Sequence, residues 1–237
     1  MSVMERVRSL LEEGDLRLVG LLPGASNYTF LAEVTGDGSA AQVVYKPRRG
    51  EMPLWDFPEG TLCNREVAAS VTADALGWPK VPPTVLRDGP HGPGSVQLYV
   101  DSVRGEHYFT LRERFPDVFR AVAAFDVVAG NGDRKSGHLL LAPTDSVWAV
   151  DHGLCFAARP WLRTVIWEFA GEPLPERLRG DVRRIAGELG TGALRERLEG
   201  LLLPEEIDAA AGRAEELVRA GTFPHPGPGR SRPWPAV

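Results

Sequence analysis

Apolar positions in the first half of the chain switch between helical and strand spacing. Residues 2–13 carry apolar side chains three and four positions apart, which predicts an amphipathic helix. Three strand-like runs joined by turn-rich stretches follow, and they predict an antiparallel meander. These runs cover residues 16–22, 28–34 and 41–46.

A helix is predicted after the third strand. Thr61 is a residue type that caps a helix N-terminus, and Gly77 is the type that ends one. The apolar residues between them fall into one stripe, so we expect one buried face. A strand pair at 81–87 and 94–101 completes a twisted sheet with one inserted helix.

Beyond residue 101 the pattern becomes mainly helical. Pro116 suits the first turn of a helix that runs to about Ala129. A hairpin of two short strands is predicted next, followed by three helices and a Pro-rich tail that is extended or disordered. The strands cover 139–142 and 147–150, the helices 173–189, 191–202 and 204–219, and the tail 223–237. The predicted units are therefore 1–101, 102–222 and the tail.

Composition and charge exclude several classes of function. The chain has 27 Lys and Arg against 32 Asp and Glu, a net charge of −5. This balance argues against a protein that binds nucleic acid by neutralising phosphates, and more weakly against stable binding to an anionic membrane. No apolar run approaches the length of a membrane span, and the N-terminus lacks the apolar core of a signal peptide. With Cys63 and Cys155 outside any CxxC pair, we expect free thiols and a cytoplasmic protein.

Two aspartates flank the predicted hairpin. Asp133 lies in the loop after the long helix, and Asp151 follows the second short strand. Because two short strands joined by a turn span little net distance, both carboxylates can face one cleft. Phosphoryl transfer uses such a pair, since one carboxylate orients the attacking hydroxyl and the other holds a metal that bridges the triphosphate oxygens.

A lysine and a glutamate complete the candidate chemistry. Lys46 ends the third strand and is one of only three lysines in the chain. Glu66 lies on the helix that follows, where it can position the lysine as in the ion pair of kinases. The turn at 23–27, which includes Ser26 and Asn27, can cover phosphates through its backbone N–H groups, although it contains neither a Walker A nor a GxGxxG motif.

These segments together resemble the phosphatidylinositol 3-/4-kinase superfamily. The resemblance is closer to its small bacterial members, the HipA-type kinases and an uncharacterised actinobacterial branch. In that superfamily the catalytic loop reads N-x-D-R-x-x-x-N and the metal aspartate lies in D-x-G. The matching stretches here are 131–138 (NGDRKSGH) and 151–153 (DHG), and the resemblance covers roughly residues 15–175.

The resemblance implies an α+β, two-lobed, protein-kinase-like fold that binds ATP with Mg²⁺ or Mn²⁺. The implied catalytic residues are Asp133, Lys46, Glu66 and Arg134. The implied nucleotide contacts are Ser26, Asn27, Lys46, Gln97 and Tyr99, the last two in the hinge strand that meets adenine.

One position departs from the family pattern. Where the family has an asparagine that helps to hold a metal, this chain has His138. A neutral imidazole also ligates metals and favours Mn²⁺ or other transition ions over Mg²⁺. His138 and Asp151 are therefore the predicted metal ligands, and the substitution signals either a changed metal preference or lost catalysis.

Each candidate also has an ordinary structural interpretation. An aspartate after Gly-Asn-Gly is usually a turn residue, and a lone helix glutamate is usually solvated. Arg134 either contacts phosphate or only pairs with a nearby carboxylate, and Asp126, two helical turns before Asp133, is expected to be structural. The kinase order of the residues taken together is what favours function.

The leading hypothesis is an ATP-dependent phosphotransferase, an atypical kinase acting on a protein Ser/Thr or a small-molecule hydroxyl. The alternatives are a nucleotide-binding pseudokinase or scaffold and an enzyme that transfers AMP on the same fold. No basic patch or interfacial helix supports a lipid acceptor. The expected partners are ATP and an unidentified acceptor, without nucleic acid and without stable membrane association.

Overall fold

The computed structural model describes residues 3–23, 27–159 and 162–237. Its strands are β1 Asp15–Leu21, β2 Phe30–Gly36, β3 Ser39–Pro47, β4 Thr84–Gly89, β5 Gly92–Leu98, β6 Leu139–Ala142 and β7 Ser146–Ala149. Its helices are α1 Val3–Glu13, α2 Leu62–Leu76, α3 Tyr108–Leu111, α4 Pro116–Ala129, α5 Glu176–Thr191, α6 Ala193–Leu198 and α7 Pro204–Ala220. The short helix α3 falls in a stretch for which the sequence pattern predicted no element.

The first five strands form one antiparallel sheet in the order β1-β2-β3-β5-β4. Strand β3 lies in the middle, where alternate residues point to opposite faces. Val43 and Tyr45 are fully buried in an apolar cluster that also contains Leu11 of α1. Lys46, the next residue along β3 and paired in register with Ser95 of β5, therefore projects from the other face.

Helix α2 is buried on nearly every side, so the expectation of a single apolar stripe is wrong. Twelve of its fifteen residues are buried, including Arg65 and Glu66. Arg65 reaches across to α7, where its guanidinium lies 2.5 Å from the carboxylate of Glu206 and also donates to the carbonyl of Cys155. The helix thus joins the sheet to the helical core, and its charged residues are buried with partners.

The N-terminus of α2 is capped by a residue outside the helix. The Glu51 carboxylate accepts hydrogen bonds from the backbone N–H groups of Leu62 and Cys63, at 3.1 and 2.8 Å. Thr61 occupies the capping position, but its hydroxyl donates to the carbonyl of Pro58 instead. A carboxylate at this end also complements the helix dipole.

The helical part of the chain packs around α4. This helix begins at Pro116 and ends at Gly130, whose φ of 62° lies in the left-handed region that glycine adopts without strain. Its residues Phe119 and Phe125 are fully buried in the cluster formed with α2, α5 and α7. The chain emerging from Gly130 is therefore held close to the core.

The Pro-rich tail has neither helix nor strand, as expected, but it is packed on the body. Phe223 and Pro233 are buried. The backbone of residues 223–236 also makes hydrogen bonds with the segments at 164–172 and 136. A disordered end is therefore not what the structure has.

Candidate active site

Three elements bring Lys46, Glu66 and Asp151 together. Lys46 Nζ at the end of β3 lies 2.5 Å from Glu66 Oε1 on α2 and 2.9 Å from Asp151 Oδ1 after β7. Burial disfavours the charged lysine, but the attraction of Asp151 and Glu66 outweighs it and raises the pKa of Lys46 above its ordinary value. One ammonium group is therefore shared by two carboxylates and stays charged.

Glu66 also fixes the segment that carries Asp151. Its second oxygen accepts a hydrogen bond from the backbone N–H of His152 at 3.0 Å. The Glu66 side chain is only 3 % exposed, so both of its oxygens are engaged away from bulk water. The glutamate thus orients the lysine and the neighbouring aspartate at once.

Asp151 is the most open member of the group. Its side chain is 50 % exposed, whereas that of Lys46 is 24 % exposed. The positive charge of Lys46 is the main cause that holds the pKa of Asp151 well below its ordinary value, against the opposing effect of burial. The residue has a φ of 59°, a left-handed conformation that is uncommon for non-glycine residues and is found at functional sites.

A buried ion pair supports the loop that carries Asp133. Arg134 Nη2 lies 2.9 Å from Asp126 Oδ1 at the C-terminal end of α4, and both side chains are fully buried. The guanidinium also donates to the carbonyl of Val150 at 2.9 Å and contacts His152 Nε2 at 2.8 Å. One arginine thus ties α4, the loop at 130–138 and the strand end before Asp151 together.

Asn131 transmits this support to Asp133. Its amide nitrogen donates to Asp126 Oδ1 at 3.0 Å, and its oxygen accepts from the backbone N–H of Asp133 at 2.9 Å. The Asp133 carboxylate lies 3.1 Å from Lys135 Nζ and is 28 % exposed. Burial raises the pKa of Asp133, and the charge of Lys135 opposes that shift. The backbone of Asp133 is thus fixed while its carboxylate keeps access to solvent.

His138 lies beside Asp151, the other residue that the sequence predicted as a metal ligand. Its Nε2 is 3.2 Å from Asp151 Oδ2, the oxygen that Lys46 does not use. Burial lowers the pKa of His138 to about 4, despite the nearby negative charge of Asp151. The imidazole is therefore neutral near pH 7. Its Nδ1 accepts a hydrogen bond from the backbone N–H of Lys135, and its Nε2 faces Asp151.

Comparison with curated proteins finds a relative that matches the whole chain. No protein-family model matches the chain. The chain is 37% identical to Protein Rv2133c of Mycobacterium tuberculosis (strain ATCC 25618 / H37Rv). The alignment is 271 positions long and covers 100% of this chain and 97% of that protein. The chain belongs to the Rv2133c family.

Likeness to a solved kinase structure establishes the fold of this member of the Rv2133c family. The Golgi casein kinase superposes with a TM-score of 0.54 at 14% identity, covering 92% of this chain and 75% of that one. The Helicobacter pylori proinflammatory kinase CtkA has a TM-score of 0.48 at 15% identity, covering 87% of this chain and 98% of that one. The superposition on the Golgi casein kinase confirms the α+β, kinase-like fold expected from the sequence.

Besides Lys46, three residues predicted to contact the nucleotide are described in this Rv2133c-family structure: Gln97, Tyr99 and Asn27. The Gln97 side chain is buried and donates to the hydroxyl of Thr84 at 2.8 Å. The backbone N–H of Tyr99 donates to the carbonyl of Gln42, and the Asn27 side chain accepts from the N–H of Met52. Ser26 lies outside the described residues. The hydrogen-bond partners of these three residues are therefore separate from the group around Lys46.

The predicted catalytic contact of Arg134 needs correction. Its guanidinium has no exposed surface, and Asp126, Val150 and His152 engage its nitrogens. A side chain held in this way cannot meet a phosphate, so the arginine positions the loop instead. The alternative of pairing with a nearby carboxylate is the one that the structure has.

Sequence reasoning assigned no function to several residues that support the site. Asn131, Asp126 and His152 are buried polar residues that hold the two aspartate segments, and Glu51 fixes the start of the helix that carries Glu66. Asp126 was expected to be structural, and Asn131 belongs to the Asn-x-Asp-Arg spacing, whereas no pattern in the sequence marks the contacts of Glu51 and His152. Among the described residues no group of three or more His, Cys, Asp or Glu could hold a metal by itself, and no described helix has the length and apolar character that a membrane span requires.

Proposed function

We propose that this protein is an ATP-dependent phosphotransferase, an atypical kinase. The observation that carries the proposal is the bridging of Glu66 and Asp151 by Lys46, beside a separately supported Asp133. Kinases use this lysine–glutamate pair and a metal-binding aspartate to hold the nucleotide phosphates. A closer relation to phosphatidylinositol 3-/4-kinases and HipA-type kinases is part of the same proposal.

Lys46 and Asp133 have separate roles in the proposed reaction. Lys46 binds phosphate oxygens of ATP, and Glu66 holds the ammonium group in place through a short contact on its buried side. Asp133 accepts the proton of, or orients, the attacking hydroxyl. Its raised pKa makes it a better proton acceptor than an ordinary aspartate, and about a quarter of its side chain remains accessible to an acceptor.

The residues beside Lys46 fit a divalent metal. Asp151 and His138 would hold it, since one is a half-exposed carboxylate and the other a neutral imidazole. Two protein ligands are sufficient because Mg²⁺ and Mn²⁺ in such sites take their remaining ligands from substrate phosphates and water. Bound there, the ion would neutralise charge on the triphosphate. The imidazole shifts the expected preference from Mg²⁺ towards Mn²⁺.

The proposed acceptor is a hydroxyl group of a protein Ser/Thr or of a small molecule, in the cytoplasm. The acceptor would reach Asp133 through the exposed part of its carboxylate, since Asn131 holds the backbone of that residue. Nothing in the charge of the chain favours a lipid surface, since the net charge is −5.

A nucleotide-binding scaffold without turnover is the second candidate. It is favoured by two observations: His138 stands at a position where the family has asparagine, and the Asp133 carboxylate is paired with Lys135. Transfer of AMP is a third possibility on the same fold. These functions differ in measurable products, since a scaffold releases none and the mass of a modified acceptor separates AMP from phosphate.

The test is to measure ATP binding and ATP turnover with Mg²⁺ and with Mn²⁺. We expect metal-dependent binding of ATP and turnover that is faster with Mn²⁺. Lys46→Met should weaken ATP binding and lower turnover by about 10²–10³-fold, whereas Lys80→Met, a lysine that contacts Ser146 elsewhere, should leave both unchanged. Binding without turnover under either metal would favour the scaffold, and no binding at all would refute the proposal.

A further inference from the structure

The C-terminal tail follows a defined path from α7 towards the loop that carries Asp133. Just after α7, the backbone of Phe223 forms two hydrogen bonds of 3.0 Å. Its N–H donates to the carbonyl of Glu172, and its carbonyl accepts from the N–H of Gly171. The Phe223 ring is buried against Phe169. This pairing starts the tail along the side of the segment at 162–174.

Ser231 provides the second anchor. Its main-chain carbonyl accepts two hydrogen bonds, from the backbone N–H of Thr164 at 3.1 Å and from the indole Nε1 of Trp167 at 3.0 Å. Two donors converging on one carbonyl fix the position of the backbone more firmly than one would. The residue two positions later, Pro233, is buried.

The third anchor lies on the candidate catalytic loop itself. The carbonyl of Ala236 accepts from the backbone N–H of Ser136 at 2.9 Å, three residues after Asp133. A fully extended stretch from Ser231 to Ala236 spans at most about 18 Å. The tail therefore lies across a short strip that ends beside the loop of the proposed acceptor hydroxyl site.

The receiving surface is bonded directly to the catalytic loop. Arg134 donates its backbone N–H to the carbonyl of Arg163 at 2.9 Å and accepts from the N–H of Val165 at 3.1 Å. Thr164, between them, pairs with the tail on its other side. The surface thus donates N–H hydrogen bonds, and main-chain carbonyls of the tail accept them. Any extended polypeptide carries such carbonyls.

We propose that the strip formed by Ser136, Thr164 and Trp167 is the acceptor-side binding surface for an extended polypeptide, and that residues 231–236 of this chain occupy it. The inference rests on the proposed function and narrows it, because the acceptor then is a protein segment. The tail competes with that segment and restrains the reaction until it is displaced.

The first experiment measures whether the tail can be released without disturbing the body. Pro233→Glu places a charge at a buried tail position, and Pro228→Glu places it at an exposed position of the same tail. By hydrogen exchange, the amides of Ser136 and Thr164 should exchange at least about 10-fold faster in P233E than in P228E, because the tail carbonyls protect them. Equal exchange in the two variants would overturn the proposal.

The second experiment asks whether the released strip binds a peptide in trans. The probe is a synthetic peptide with the sequence of residues 230–237, added to the full-length variants. P233E should bind it at least about 10-fold more tightly than P228E, whose own tail acts at a high effective concentration. The same peptide carrying Glu at the position of Pro233 should bind neither. Peptide binding that is absent from both variants, or equal in both, would contradict the proposal.

The third experiment connects the strip to turnover. With a protein acceptor in a cell extract, P233E should show a several-fold lower KM for acceptor than P228E, with an unchanged KM for ATP. An unchanged acceptor KM in an active enzyme would overturn the inference while leaving the proposed function in place. If neither variant turns ATP over, the proposed function fails, and the exchange and peptide measurements still decide whether the strip binds polypeptide.

Discussion

Lys46 and Arg134, two cationic side chains of the candidate site, each contact several acceptors, and they differ in exposure. The Arg134–Asp126 pair is fully buried, with both side chains at 0 % exposure. Lys46 and Asp151 are 24 % and 50 % exposed. The first pair therefore holds the chain in position, whereas the second keeps surface for a ligand. This contrast separates residues that build the site from residues that can take part in its chemistry.

The largest expected effect comes from breaking the buried pair. Asp126→Ala leaves the Arg134 guanidinium buried without its carboxylate, which should cost about 3–5 kcal/mol of folding free energy. Urea denaturation measures this loss. Asp117→Ala on the same helix, where the aspartate is 97 % exposed, is the matched control and should change stability by less than about 1 kcal/mol. A similar small change for both variants would mean that the buried pair does not hold the loop.

Breaking the partly exposed ion pair of Lys46 and Asp151 should affect turnover more than stability. Lys46→Met removes the charge that we propose binds the phosphates, so turnover should fall by about 10²–10³-fold, the range seen when one preorganised electrostatic contact is lost. Lys80→Met is the control for loss of a lysine. If turnover changed little while the protein unfolded more easily, Lys46 would belong with the structural pair instead.

Asn131 connects the buried pair to Asp133, and this connection can be tested by substitution. Asn131→Ala removes the acceptor for the Asp133 N–H and a donor to Asp126. We expect a loss of about 1–3 kcal/mol in stability from the unsatisfied groups. The kcat should fall with little change in the KM for ATP, because the orientation of Asp133 is lost while Lys46 is untouched. A changed KM for ATP with an unchanged kcat would place Asn131 on the nucleotide side.

The smallest expected effect is the pH dependence of the stability that the Asp151 carboxylate contributes. The pKa of Asp151 is lower in the folded protein, so its ion pair adds stability above the unfolded pKa of about 3.9 and loses it as pH falls through the folded value. The stability difference between wild type and Asp151→Asn should therefore be constant near neutral pH and shrink below about pH 4. A difference that grows on acidification would contradict the assigned direction. Urea titrations at several pH values measure it.

Helices and strands were predicted well where residues within or next to the element determine its limits. Pro116 and Gly130 bound α4 because both act through backbone conformation within a few residues. The hairpin between Asp133 and Asp151 follows from two short apolar runs around a turn, and it brings the two aspartate segments to the same region. The Lys46–Glu66 contact was expected from kinase order and is present.

Features that depend on distant contacts were not predicted. The burial of Arg65 against Glu206 joins residues far apart in sequence, and the Glu51 cap of α2 comes from an irregular segment before the helix. The docking of Ser231 and Ala236 depends on main-chain groups, which side-chain patterns do not report. Arg134 could have met a phosphate or a carboxylate, and only the position of Asp126 decided between them.

The most direct test of phosphotransfer is labelling of an acceptor from ATP carrying radioactive γ-phosphate in a cell extract. Wild type should transfer label in the presence of Mn²⁺, and Asp133→Asn should lose transfer while still binding ATP. Asp117→Asn, an exposed aspartate on α4, should behave as wild type. Transfer that survives in the Asp133→Asn variant would contradict the role of Asp133 and the account of the site.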